Sequence, residues 1–137
     1  MQVDFSTCLV FNTRMAARAV TRRYDGLLRP YGVTSAQFSL MGGIKRGEGQ
    51  TVSQLAERNG IDRTSLTRNL DRLERMGLIA CRSGKGTARV CDLTDAGEAL
   101  VAELVPLWVA AQAEMRELLS ASDFSTTLTV LKRLSRV

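Results

Sequence analysis

The sequence contains no histidine among its 137 residues, which removes the usual general base and the commonest metal ligand together. Serine–histidine, cysteine–histidine and most metallo-hydrolase mechanisms are excluded, so the chain reads as a non-enzyme. A nucleophilic Cys8 is the one catalytic alternative, and it has no histidine to activate it. No stretch approaches about twenty uninterrupted apolar residues, so no membrane association is expected. The opening, Met1-Gln-Val-Asp-Phe-Ser-Thr-Cys8, lacks the basic region, apolar run and small-residue cleavage site of a secretion signal, which makes the cytoplasm the expected location. Low-complexity segments, solenoid-period repeats and long linkers are absent too, so the length predicts a single domain, and nothing calls for a cofactor.

Cysteine is scarce. Cys8, Cys81 and Cys91 form an odd set at irregular spacing and fit neither a structural zinc pattern nor an extracellular disulfide framework, so reduced thiols are the default expectation. One geometry would change that for two of them. A hairpin turning on the three residues from Lys85 to Thr87 would set Cys81 opposite Cys91, whereas a two-residue turn would put them out of register.

What the chain does have is an uneven charge. The formal sum is +5, but residues 58–89 alone hold Arg58, Arg63, Arg68, Arg72, Arg75, Arg82, Lys85 and Arg89 against Asp62, Asp71 and Glu74, which is +5 in that segment. The preceding residues carry +3 and the following ones −3. A basic middle followed by an acidic end suggests that the middle meets a polyanion while the end meets protein or water. A solvated charged face is the bland alternative.

Periodicity divides the chain into helices and one hairpin. Phe5, Cys8, Leu9, Met15, Ala16, Ala19, Val20, Leu27 and Leu28 line one face of a long first helix that ends at Arg29-Pro-Tyr-Gly32. Thr34-Ser-Ala-Gln37 has the capping-box pattern and opens a second helix to about Arg46. Thr51-Val-Ser-Gln54 repeats that pattern ahead of a short helix with Val52, Leu55 and Ala56 inward, stopped by Asn59-Gly60. Asp62 then caps a helix whose Leu66, Leu70 and Leu73 face inward until Gly77 ends it. Two short helices joined by a glycine-bearing turn make a helix-turn-helix. Two strand-like runs follow around Gly84-Lys-Gly86, forming a small hairpin with a basic tip. A long helix through Leu100, Leu104, Leu107, Trp108, Ala111, Met115 and Leu118 should bend at Pro106, and a last one holds Phe124, Leu128, Leu131 and Leu134.

The run from Thr51 to Ile79 closely resembles the MarR family of bacterial regulators, and Leu93-Thr-Asp-Ala-Gly97 resembles the segment that leads from the family's wing into its long helix. Arg18 to Asp25 and Gly32 to Phe38 are similar as well, so the likeness spans nearly the whole chain. It implies a mainly α fold with a small β-hairpin wing, a winged helix-turn-helix at 34–94. It also implies a homodimer interlocked through terminal helices at 1–33 and 95–137 on double-stranded DNA with a palindromic operator. The wing departs from the pattern: Arg82-Ser-Gly-Lys-Gly-Thr-Ala-Arg89 is shorter and lacks an Asp-x-Arg motif. Arg82 and Lys85 are therefore substitutes for the usual wing arginine.

A recognition helix needs side chains near its start that reach base edges, flanked by groups that grip phosphates. Arg63, Thr64, Ser65, Thr67 and Arg68 are assigned to bases; Arg72, Arg75, Lys85 and Arg89 to phosphate or the minor groove. Some of these arginines could instead pair with Asp71, Glu74 or Glu57 at the surface. Reading a palindrome requires two recognition helices roughly 34 Å apart, about one turn of DNA, which demands a dimer. Phe5, Leu9, Leu104, Trp108, Leu128, Leu131 and Leu134 are the expected interface, with intramolecular core as the alternative for each. The resemblance further implies a repressor released by a small aromatic or lipophilic effector or by cysteine oxidation. Phe11, Met15, Phe38, Met41 and Trp108 could line an effector pocket, Arg14 could meet a carboxylate, and Cys8 is the redox candidate. The competing function is a winged-helix module that binds protein or RNA without reading DNA sequence.

Overall fold

A computed structural model describes residues 1–47, 50–84, 86 and 88–137. By contacts the chain divides into two compact units, Met1–Ser35 and Ala36–Val137.

In the first unit a 3-10 turn, Phe5–Thr7, leads into helix α1, Leu9–Leu28. Asp4 caps the turn through the Ser6 N–H, and the Asn12 amide donates to the carbonyls of Ser6 and Cys8, fixing the entry to α1. A second 3-10 turn, Arg29–Tyr31, ends at Gly32, whose φ of 77° is the left-handed value glycine adopts without strain. Of the apolar face of α1 predicted from periodicity, Leu9, Met15 and Val20 are exposed and Leu28 is buried; Val10 and Phe11, outside that predicted face, are exposed as well.

Helix α2, Ser35–Arg46, belongs to the second unit from Ala36 onward. Helix α3, Val52–Asn59, is opened by the full capping box, with the Thr51 hydroxyl accepting from the Gln54 N–H and the Gln54 side chain accepting from the Thr51 N–H. Gly60, at φ 60°, closes it. Helix α4, Arg63–Arg75, follows from its Asp62 cap. The hairpin comprises β1, Ile79–Ser83, and β2, Arg89–Leu93, antiparallel with Ile79 opposite Leu93. An isolated bridge from Thr51 to Val90 joins β2 to the start of α3, leaving β1 as the edge strand. Helix α5, Asp95–Leu119, is capped by Thr94 and continues across Pro106. Helix α6, Ala121–Leu134, is capped by Ser120, and Phe124 is buried beneath the Arg116 guanidinium, 4.7 Å from the ring centre.

Leu40, Met41, Ile44, Leu55, Leu66, Leu70, Leu73, Ile79, Val90 and Val101 are buried. Leu104, expected at the dimer interface, is wholly buried within its own chain and is therefore intramolecular core. Its periodic stripe has inner and outer edges, and Leu104 lies on the inner one. Trp108, Leu128 and Leu131 on the second unit, like Phe5 and Leu9 on the first, remain exposed, while Leu134 is half-buried. The α5 start rests directly on the hairpin root. The Thr94 N–H and hydroxyl donate to the carbonyls of Leu78 and Gly77, and Gly97 sits so close to the Leu78 carbonyl that a side chain there would collide with it.

Candidate nucleic-acid interface

The helix-turn-helix formed by α3 and α4 is set by its caps. Asp62 Oδ1 accepts the Ser65 N–H at 2.9 Å and Oδ2 accepts the Ser65 hydroxyl at 2.8 Å. These bonds hold the Asp62 carboxyl below the usual carboxylate range. The cap keeps a negative charge at the helix start, where the macrodipole favours it.

Successive residues of α4 advance by about 100°, so Leu66, Leu70 and Leu73 share one buried side. Arg63, Thr64, Arg68, Arg72 and Arg75 are exposed, and Thr67 is half-buried on the flank. Thr64 and Arg68 lie near the centre of the outward face. Ser65 is also half-buried, and its hydroxyl proton is directed at the cap rather than outward. Arg63, Thr64, Thr67 and Arg68 thus form a compact set on the first turns, with Arg72 and Arg75 behind them along the same helix.

The wing residues are differently placed. Arg89 reaches Asp71 at 3.2 Å and Glu74 at 3.6 Å, and Arg82 meets Asp92 at 3.2 Å. For Arg89 this is the surface pairing with Asp71 and Glu74 raised from the sequence, and it braces the hairpin against α4; the partner of Arg82, Asp92, was not among those raised. Lys85 lies outside the described residues. Glu74, noted in the sequence only as a counter-ion, accepts the Cys81 N–H at 2.9 Å and so ties β1 to α4. Only the strand register shows this. Arg46 and Arg58, absent from the predicted contacts, share a polar cleft of about 190 Å³ with Gly43, Gln50, Leu55 and Asn59. Arg58 donates to Gln50 there at 3.2 Å. The position of Arg58 in the basic segment was the available signal.

The expectation of reduced thiols fails for Cys81 and Cys91, which are bonded to each other. The Gly84 N–H donates to the Ala88 carbonyl and Gly86 has φ 66°, so the turn centres on Gly86. Cys81 then faces Cys91. The pair alternates with Ala80–Asp92 and Arg82–Val90 and is one of the pairs whose N–H groups point away from the partner strand, where the chains approach most closely. Cys8 is a half-exposed free thiol preceding α1.

Of the effector candidates, Phe11, Arg14 and Met15 are exposed on the first unit. On the second, Phe38 is half-buried, Trp108 exposed and Met41 buried in the core. Among the described residues no cluster of three or more Cys, Asp or Glu could hold a metal ion, and no helix is long and apolar enough to cross a membrane.

Residues 31–89 match the family model described as MarR family. The transcriptional regulator MosR of M. tuberculosis, solved in complex with DNA, is 37% identical, with 94% of each chain covered and a TM-score of 0.85. A second structure of MosR is 38% identical over 97% of this chain and 96% of that one, also with a TM-score of 0.85. MarR from E. coli, as a cysteine-to-serine mutant complexed with operator DNA, shares the fold at 22% identity and a TM-score of 0.84, with 97% of this chain and 99% of that one covered. With helix-turn-helix, wing and long following helix in the same order along nearly its whole length, the chain belongs to the MarR family of transcriptional regulators.

Proposed function

We propose that this chain is a sequence-specific DNA-binding transcriptional regulator that acts as a homodimer on a palindromic duplex. The observation that carries the reading is α4: a helix locked by Asp62 and by three buried leucines, presenting Arg63, Thr64, Thr67 and Arg68 on its outer first turns. In the major groove, arginine donates in bidentate fashion to guanine, and threonine offers a hydroxyl to a base edge or its methyl to thymine. Arg72 and Arg75 grip phosphates, while Arg82 and Lys85 serve the wing. Residues 34–94 form the reading lobe, and the helices at 1–33 and 95–137 form the dimer, consistent with the apolar side chains they leave exposed. The reading places the protein in the cytoplasm, without a catalytic role, as a repressor released by a small aromatic or lipophilic effector or by oxidation of Cys8.

Selection from a random duplex library by the purified protein tests this. The expected product is a palindrome whose half-sites lie about one helical turn apart. Its affinity should fall linearly in logarithmic terms with salt, with a slope on the order of −4 or steeper. Enrichment of no sequence, or an equal affinity for single-stranded RNA in a separate titration, would favour the interaction-module alternative.

A further inference from the structure

We propose that Cys81 and Cys91 form a reversible dithiol–disulfide switch in the wing, and that the bonded form is the one that binds DNA tightly. The proposal rests on the DNA-binding reading above. The strands it links are held unequally. On β2, Val90 and Cys91 are buried, and Val90 bridges to Thr51 at the start of α3. Strand β1 is the edge: beyond Ile79 its Ala80, Arg82 and Ser83 are exposed. Apart from its ladder with β2, β1 has its buried Ile79, packs against α4, and makes the bond from the Cys81 N–H to Glu74 and the ion pair from Arg82 to Asp92, so its outer half from Arg82 onward is the less supported part. The disulfide clamps the exposed outer half of this edge strand, with Arg82 on it, to β2. It sits at the last paired residues but two before the tip, so it also fixes the base of the loop that carries Lys85. Two-stranded ladders alone are marginal in water. Clamping one lowers the ordering cost that DNA binding would otherwise meet.

The chemistry needs an oxidant and a reductant, for which a hydroperoxide and a dithiol suffice. Cys81, the more exposed of the two, attacks the hydroperoxide as thiolate. The O–O bond breaks, an alcohol leaves after taking a proton, and a sulfenic acid forms on Cys81. The Cys91 thiolate then attacks that sulfur, forming the S–S bond and expelling hydroxide, which is protonated to water. Two electrons pass from the thiols to the peroxide. A dithiol returns them through a mixed disulfide, the half-buried Cys81 sulfur being more accessible to attack than the buried Cys91. Disulfides of cytoplasmic proteins are typically of this transient, sensing kind.

The test uses full-length protein, wild type and Cys8→Ser, each oxidised with cumene hydroperoxide or reduced with dithiothreitol. It compares binding to the selected duplex, peptide mass after alkylation, and amide exchange across 79–93. Both oxidised proteins should carry the 81–91 cross-link, and oxidised Cys8→Ser, in which release through Cys8 cannot operate, should bind about tenfold more tightly than its reduced form. Exchange in β1 should rise on reduction while that of α4 is unchanged, and Cys8→Ser/Cys81→Ser/Cys91→Ser should behave as reduced Cys8→Ser under both conditions. Absence of the cross-link after peroxide, or equal affinity of cross-linked and reduced Cys8→Ser, would overturn the proposal. If no form of the protein prefers any duplex, the DNA-binding reading fails separately. The exchange data then decide whether the bond locks β1, and equal exchange overturns that too.

Discussion

Asp62 illustrates how one residue fixes the start of α4. Its carboxylate takes both the backbone and the side-chain hydrogen of Ser65, and these bonds favour the charged form. A depressed folded-state pKa contributes stability that is fully present above the unfolded-state value and disappears as pH falls through the folded one. Stability should therefore be flat near neutrality and decline below about pH 4. Asp4, depressed in the same direction by Ser6, adds a loss of the same sign. Asp62→Asn, which keeps a cap without the charge, should shallow the acid limb of a Tm-against-pH curve; an unchanged limb would mean that the cap bonds do not persist in solution. Arg68 belongs to this scale as well. It is exposed and has no role in the core, so Arg68→Ala should leave Tm within a degree or two while weakening specific duplex binding by about 10- to 100-fold. Gly97→Ala should do the reverse. Its new methyl would press on the Leu78 carbonyl, costing roughly 1–3 kcal/mol in a denaturant titration.

At the scale of elements, α4 is held from below. Leu70 is wholly buried, and Leu70→Ala should cost about 2–5 kcal/mol and lower DNA affinity only in proportion to the unfolded fraction. The corner between α5 and α6 carries a different stress. Ser120 has φ 67° and ψ 159°, a region nearly reserved for glycine, while its hydroxyl accepts the Asp123 N–H at a long 3.3 Å. Ser120→Gly exchanges backbone strain of about 1–3 kcal/mol for a cap worth a few tenths, so Tm should rise. These elements were largely legible in the sequence because their signals are local. Thr51 with Gln54, Asn59-Gly60 and Asp62 mark caps whose hydrogen bonds span three residues, and the leucines of α4 repeat at helical spacing. What depends on pairing was not legible. The Cys81–Cys91 bond follows from a turn centred on Gly86 rather than on two residues, and composition cannot choose between those. The hydrogen bond from the Cys81 N–H to Glu74 and the ion pair of Glu74 with Arg89 need the same register. Periodicity placed Leu104 on an apolar stripe but could not say which side of the stripe was already covered.

For the whole molecule, two features argue for a partner copy and a polyanion. Phe5, Leu9, Phe11 and Met15 in the first unit and Trp108, Leu128 and Leu131 in the second expose large apolar side chains near both ends of the chain, more than a monomer ordinarily leaves in water. Positive charge collects instead on the middle, where α4 and the wing lie. Base contacts from a single α4 would read too few positions for useful discrimination, so pairing two lobes is what gives the reading its length. Sedimentation should accordingly show a dimer at micromolar concentration, and a monomer would remove the basis for palindrome recognition. The most direct test of the central claim is a fluorescence-anisotropy titration of the selected palindromic duplex against its scrambled counterpart at physiological salt. Sequence-specific reading by α4 predicts an affinity ratio of at least about 10³, reduced towards unity by Arg63→Ala/Arg68→Ala. Equal affinity for both duplexes, with the protein folded and dimeric, would contradict it.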